Sequence, residues 1–227
     1  MKRYIALLAA ATVIVSLAAC GSDKREASGR SEKTQEQTAL ADAEPASDGK
    51  ILIAYFTAAE NSGVDAVSSA SYSMVNDKPV GRLRAIADMI QAETGGELFS
   101  IRTSVVYPAD GGELIDYAAN EQEEDVRPEL TSHIEGLDKY GTVFVGFPNW
   151  WADLPQVLYS FFDEYDFSGK TIIPFNVHNG SRFSGTIETI QELEPEATVI
   201  TDGFTVNERD VPDAAGDVAG WLEEIGY

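Results

Sequence analysis

Apolar positions over residues 50–227 follow two rhythms. "ILIAYF" (51–56), "GTVFVGFP" (141–148) and "KTIIPFN" (170–176) are nearly unbroken apolar runs. Such runs predict strands buried on both faces of a sheet. "LFSIRT" (98–103) and "ATVITDGF" (197–204) are also strand-like, making five. Between them apolar residues recur at helical spacing: "GRLRAIADMIQAETGG" (81–96), "GGELIDYAANEQEED" (111–125), "LPQVLYSFFDEY" (154–165), "SGTIETIQELEP" (184–195) and "VPDAAGDVAGWLEEIG" (211–226). The first closes on a Gly-Gly stop, and the third carries a proline in its first turn. Five strands alternating with five helices imply right-handed crossovers and a parallel sheet covered on both faces. Ligands of such sheets sit beyond the carboxyl ends of the strands. The loops after Phe56, Phe147 and Asn176 are therefore the ones to inspect.

The first 49 residues have a different pattern. A basic start, Met1-Lys2-Arg3, leads into an apolar run over 5–19. It is short for a membrane span and fits an export signal. It ends in "LAAC" (17–20), and Cys20 is the chain's one cysteine. This stretch resembles the lipobox of bacterial lipoproteins. The resemblance implies a signal peptide over 1–19, lipidation of Cys20, and a protein anchored at the extracytoplasmic face of the membrane. Residues 20–49 then read as a flexible tether, too polar to bury a core. A coil of that length reaches roughly 30 Å. Residues 50–227 form the folded domain. With a lone cysteine, an intrachain disulfide and a cysteine-ligated metal centre are excluded.

Charge narrows the partners. The 38 acidic residues outnumber 16 basic ones, for a formal charge of −22. So acidic a chain argues against nucleic acid and against adsorption to anionic lipid. It suits either solubility or a partner with a basic face. No GxGxxG follows the first strand and no GxxxxGK[ST] occurs, which disfavours dinucleotide and triphosphate sites. HExxH and GxSxG are absent too, and two histidines, His133 and His178, are too few for a histidine-rich metal site.

The loop after the first strand, 57–82, is rich in hydroxyls and opens a helix, whose first N–H groups suit a phosphate. Thr57 offers a hydroxyl and Arg82 a charge. The loop after the middle strand, "PNWWAD" (148–153), places two tryptophans side by side. The loop over 176–185, "NVHNGSRFSG", is polar, and Gly180 allows close approach to a ligand. Together they fit one ligand with a phosphate end and a flat aromatic end.

Four segments, "ILIAYFT", "ELFSIRTSVVYP", "VGFPNWWADLPQVLYSFFDEYDFSGKTIIPF" and "HNGSRFSGTI", make residues 50–227 resemble the flavodoxins, in the branch common in Gram-positive bacteria. The resemblance implies a flavodoxin-like three-layer α/β/α fold with a five-stranded parallel sheet. It implies FMN as cofactor. Thr57, Ala58 and Asn61, with the helix start at Gly81, Arg82 and Leu83, would hold the phosphate. Pro148, Asn149, Trp150, Trp151 and Ala152 would pack one side of the isoalloxazine, and His178, Asn179, Gly180 and Ser181 the other side and the pyrimidine edge. One tryptophan would meet the flavin and the other anchor the loop. Two departures stand out. Leu83 occupies the position where the family caps its first helix with Thr or Ser, and residues 60–79 form an insertion. Within that insertion "DAVSSAS" (65–71) resembles a motif that esterifies FMN phosphate to a hydroxyl, with Ser71 as acceptor.

The expected role is electron transfer with a redox partner protein or the quinone pool. The chemistry belongs to the flavin, so no catalytic side chain is nominated. An aromatic, acidic setting disfavours negative charge on a reduced flavin and lowers its potential. Two alternatives remain open: an FMN-dependent NAD(P)H:quinone-type reductase, and a non-redox, ligand-binding lipoprotein.

Overall fold

The computed structural model describes residues 49–61 and 71–227. The expected signal peptide, Cys20, the expected tether up to residue 48 and the motif residues before Ser71 lie outside the described residues. In chain order the elements are β1 (Lys50–Tyr55), α1 (Ala58–Asn61), β2 (Tyr72–Val75), β3 (Lys78–Gly81), α2 (Arg82–Thr94), β4 (Glu97–Ser100), α3 (Gly111–Glu123), β5 (Tyr140–Pro148), α4 (Gln156–Glu164), β6 (Thr171–His178), α5 (Thr186–Leu193), β7 (Thr198–Val199), β8 (Phe204–Asn207) and α6 (Ala215–Glu224).

The main sheet runs β4-β1-β5-β6, with β7 and β8 both paired to β6. Every pairing in it is parallel. This is the flavodoxin-like order rather than half of a Rossmann fold. The unbroken apolar strands follow from burial on both sides. Along β1, Leu52 and Ala54 face a core shared with Leu114, Val157, Leu158, Phe161 and Ile190. Ile53 and Tyr55 face the other, with Leu83, Ile86, Ile90, Val218 and Leu222. Helices α3, α4 and α5 thus cover one face, and α2 and α6 the other.

Two expectations need correction. The fifth strand is not one strand over 197–204. β7 pairs at Thr171 and Ile172, β8 from Phe175 onward, and residues 200–203 lie opposite 173–174. Pro174 has no N–H for a ladder, and Gly203 closes over it: a Cβ there would sit 2.5 Å from the Pro174 carbonyl oxygen. The insertion over 60–79, expected as loop, contains an antiparallel hairpin. β2 and β3 pair from Tyr72–Gly81 down to Val75–Lys78, and Asn76 and Asp77 turn the chain at φ 49° and 62°. That two-residue left-handed turn suits Asn and Asp.

Candidate functional site

β1 delivers Thr57 to the carboxyl edge of the sheet. Its side chain is 1% exposed, and its Oγ1 has no hydrogen-bond partner among the described residues. A buried hydroxyl left unpaired costs about 1–3 kcal/mol, so it marks a place where a ligand atom belongs. The start of α2 lies against it. A Cβ on Gly81 would stand 2.9 Å from Thr57 Oγ1, so only glycine lets the two approach. No side chain caps α2 at Gly81 and its first turn holds no acid, which leaves the positive end of the helix dipole for an anion. The Arg82 amide donates to the Ser71 carbonyl, at 2.9 Å. Its guanidinium pairs through Nη1 with Glu208 Oε2 at 2.6 Å, while Nε is buried without a partner among the described residues.

A cavity of about 330 Å³ opens here. Thr57, Ser71, Arg82 and Glu208 form its polar part, with Ala58 and Leu83 beside them. Pro148, Asn149 and Trp150 after β5, and Val177, His178 and Asn179 at the end of β6, line the rest, with Gly111, Leu114 and Ile115 of α3.

The tandem tryptophans divide their work. Trp150 and Asp153 exchange backbone hydrogen bonds at 3.1 and 3.0 Å, and Trp151 and Ala152 between them hold φ of 54° and 65°. This is a mirror-image tight turn built without glycine, at about 1–2 kcal/mol per left-handed residue. Its surroundings hold it. The Trp150 ring sits edge-on against Phe56 and Tyr107, with centroids 5.6 and 5.5 Å away. Trp151 donates from Nε1 to the Ile115 carbonyl at 2.9 Å, and Tyr159 donates its hydroxyl to Asp153 at 3.0 Å. Trp150 is therefore both anchor and cavity wall. Trp151 is 56% exposed and lines a second, more apolar cavity of about 330 Å³ with Ala118, Ala152 and Ser181. That cavity shares Leu114, Ile115, Asn149 and Trp150 with the first.

The loop after β6 is fixed from below. Asn149 and Asn176 both donate to the Arg182 carbonyl, at 2.6 and 2.9 Å. Asn149 Oδ1 is a third buried, unpartnered polar atom of the first cavity. Gly180 donates its amide to His178 Nδ1 at 2.8 Å, so a neutral ring carries its proton on Nε2. Burial, with the Arg182 charge, lowers the His178 pKa and favours that neutral form. Under Trp150, Tyr107 lies 3.5 Å from Glu121. Burial raises this carboxyl to about 7, and it raises the Tyr107 phenol as well.

Most of the expected residues converge. Thr57, Ala58, Ser71, Arg82, Leu83, Pro148, Asn149, Trp150, His178 and Asn179 share the first cavity, while Trp151, Ala152 and Ser181 border the second. Three do not line either. Asn61 instead donates to the Ile101 carbonyl at 2.9 Å and accepts from the Thr103 amide at 2.6 Å, tying down the chain after β4. Gly81 acts through its missing Cβ, and Gly180 through its bond to His178. Leu83 is not the helix cap: Gly81 is, and the Leu83 side chain belongs to the core. Gly111, Leu114, Ile115, Val177 and Glu208 were not foreseen. Ile115, apolar yet 56% exposed on α3, follows a loop that was not among those inspected. Glu208 gave no pattern at all.

The sequence model of the Flavodoxin family matches residues 70–225. The chain belongs to the flavodoxin family. Among solved structures, a protein assigned as a flavoprotein from Bacteroides eggerthii superposes with a TM-score of 0.59 at 23% identity, over 79% of this chain and 99% of its own. Another from Bacteroides uniformis gives 0.59 at 26% identity, over 77% and 98%. A flavoprotein in complex with FMN from Lactobacillus acidophilus gives 0.52 at 16% identity, over 74% and 99%. These likenesses establish a shared fold over the flavodoxin domain. No curated protein matches the chain.

Proposed function

We propose that this flavodoxin binds FMN and carries electrons at the extracytoplasmic face of the membrane, held there through a lipid on Cys20. The observation that carries FMN is one cavity joining a polar pole to an aromatic one. Unpartnered Thr57 Oγ1 and Arg82 Nε, beside the uncapped start of α2, suit a phosphate. Trp150, Pro148 and the chain at His178 and Asn179 suit a flat ring. These residues fit the cofactor. FMN supplies one- and two-electron chemistry when bound. The chain's own part is to hold the phosphate, wall the ring with Trp150, and keep a neutral His178 beside it. An acidic surface would steer a partner with a basic face.

An absorption spectrum of the purified chain supplied with FMN, followed by acid precipitation, tests this reading. Flavin bands that pass into the supernatant support noncovalent binding. Colour that stays in the pellet supports esterification to Ser71, which borders the cavity. No bands and no binding would refute the flavin reading. For the anchor, Cys20→Ala should move the protein from the membrane to the soluble fraction.

The second cavity favours one further reading, an FMN-dependent reductase of quinone-like acceptors. Its apolar wall and the exposed Trp151 and Ile115 offer a seat for a second flat molecule. Steady turnover of NADPH with a quinone would support it, and its absence would leave the carrier.

A further inference from the structure

We infer that Glu208 is a built-in competitor for the ligand's phosphate, so that the pocket holds FMN less tightly than its own cation would allow. The inference rests on the FMN reading and deepens it. Four observations carry it. First, Glu208 lines the same cavity as Thr57 and Arg82. Second, its carboxylate already takes Arg82 Nη1 at 2.6 Å, with the two side chains 26% and 23% exposed. Third, the first turn of α2 has neither an acid nor a capping side chain, and the acid beside it is Glu208, held on the side chain of the helix's first residue. Fourth, two buried groups beside the pair, Arg82 Nε and Thr57 Oγ1, have no partner among the described residues.

An arriving phosphate meets a neutralised cation and a carboxylate of its own sign. To engage it, the guanidinium must exchange one oxyanion for another. The Glu208 amide donates to the His178 carbonyl at 2.8 Å, and the Arg82 amide to the Ser71 carbonyl at 2.9 Å. Both backbones are held, so the exchange is confined to side chains. A ligand without phosphate gains nothing from the exchange and feels little of the repulsion. Glu208 therefore sets how far the pocket prefers FMN over riboflavin.

The test is flavin fluorescence titration of the full chain in detergent, with FMN and riboflavin as separate probes. Glu208→Gln should tighten FMN about tenfold and leave riboflavin within about twofold, the scale of one screened charge contact. Arg82→Gln leaves Glu208 unpaired beside the phosphate, so FMN should bind more weakly than riboflavin, and adding Glu208→Gln should restore the order. Unchanged or weakened FMN binding in Glu208→Gln would overturn the inference and make Glu208 a support for Arg82. If Glu208→Gln does not fold, Arg82→Gln still decides, since a preserved preference for FMN overturns the inference. Failure of the unmutated chain to bind either flavin would instead overturn the FMN reading beneath it.

Discussion

Glu121 is the most informative single residue to perturb, because its environment writes a pH dependence into the fold. It sits on α3, is 5% exposed, and has Oε1 without a partner. Burial raises its pKa from 4.5 to about 7, and the Tyr107 hydroxyl only partly opposes this. In the unfolded chain the same carboxyl titrates near 4.3. Between those values the folded state binds more protons than the unfolded one, so stability falls as pH rises through this window and levels off above about 7. The full difference is worth about 4 kcal/mol. Glu121→Gln keeps an acceptor for Tyr107 and removes the charge. Thermal melts by circular dichroism at pH 5, 6, 7 and 8 should show variant and parent closest at pH 5, about 1 kcal/mol apart. They should separate progressively, with the variant about 7–14 °C higher at pH 8, at about 2–4 °C per kcal/mol for a domain of this size. An equal difference at pH 5 and pH 8 would refute the argument. Glu194, also raised to about 7 by burial, adds a similar slope to both proteins and cancels from the comparison.

Further outcomes follow from the same geometry. Thr57→Val removes a buried hydroxyl that lacks a partner; the flavin-free protein should melt about 2–4 °C higher, while FMN binds about tenfold more weakly, and an unchanged FMN Kd would exclude Thr57 from the phosphate site. Trp151→Ala should lower the melting temperature by no more than about 4 °C, since the ring is 56% exposed and loses one hydrogen bond to Ile115, and shift the affinity or potential of the flavin. If neither moves, Trp151 does not border the ring.

The fold was legible because its signals are local or periodic. Unbroken apolar runs at 51–56, 141–148 and 170–176 require burial on both faces, and helical spacing between them requires crossovers. What escaped shows the limits of that logic. The hairpin at 72–81 carried a turn pair, Asn76-Asp77, but its strands are four residues each and were submerged in a serine-rich loop. The break in the last strand depends on Pro174 across the sheet, a partner not adjacent in sequence.

The site divides in the same way. Three loops at the carboxyl edge, a hydroxyl at Thr57 and a cation at Arg82 are properties of the chain order, because a parallel sheet places its strand ends together. Which tryptophan is buried is not such a property. Neighbouring residues of a tight turn point apart, and Phe56 and Tyr107 wait on one side only. Nor does chain order reveal that Glu208, 126 residues after Arg82, meets it at 2.6 Å. That contact exists because α2 starts beside the chain as it leaves β8. Local chemistry selects strands, helices and turns, whereas the charge state of a pocket is set by side chains that only the packed sheet brings within reach of one another.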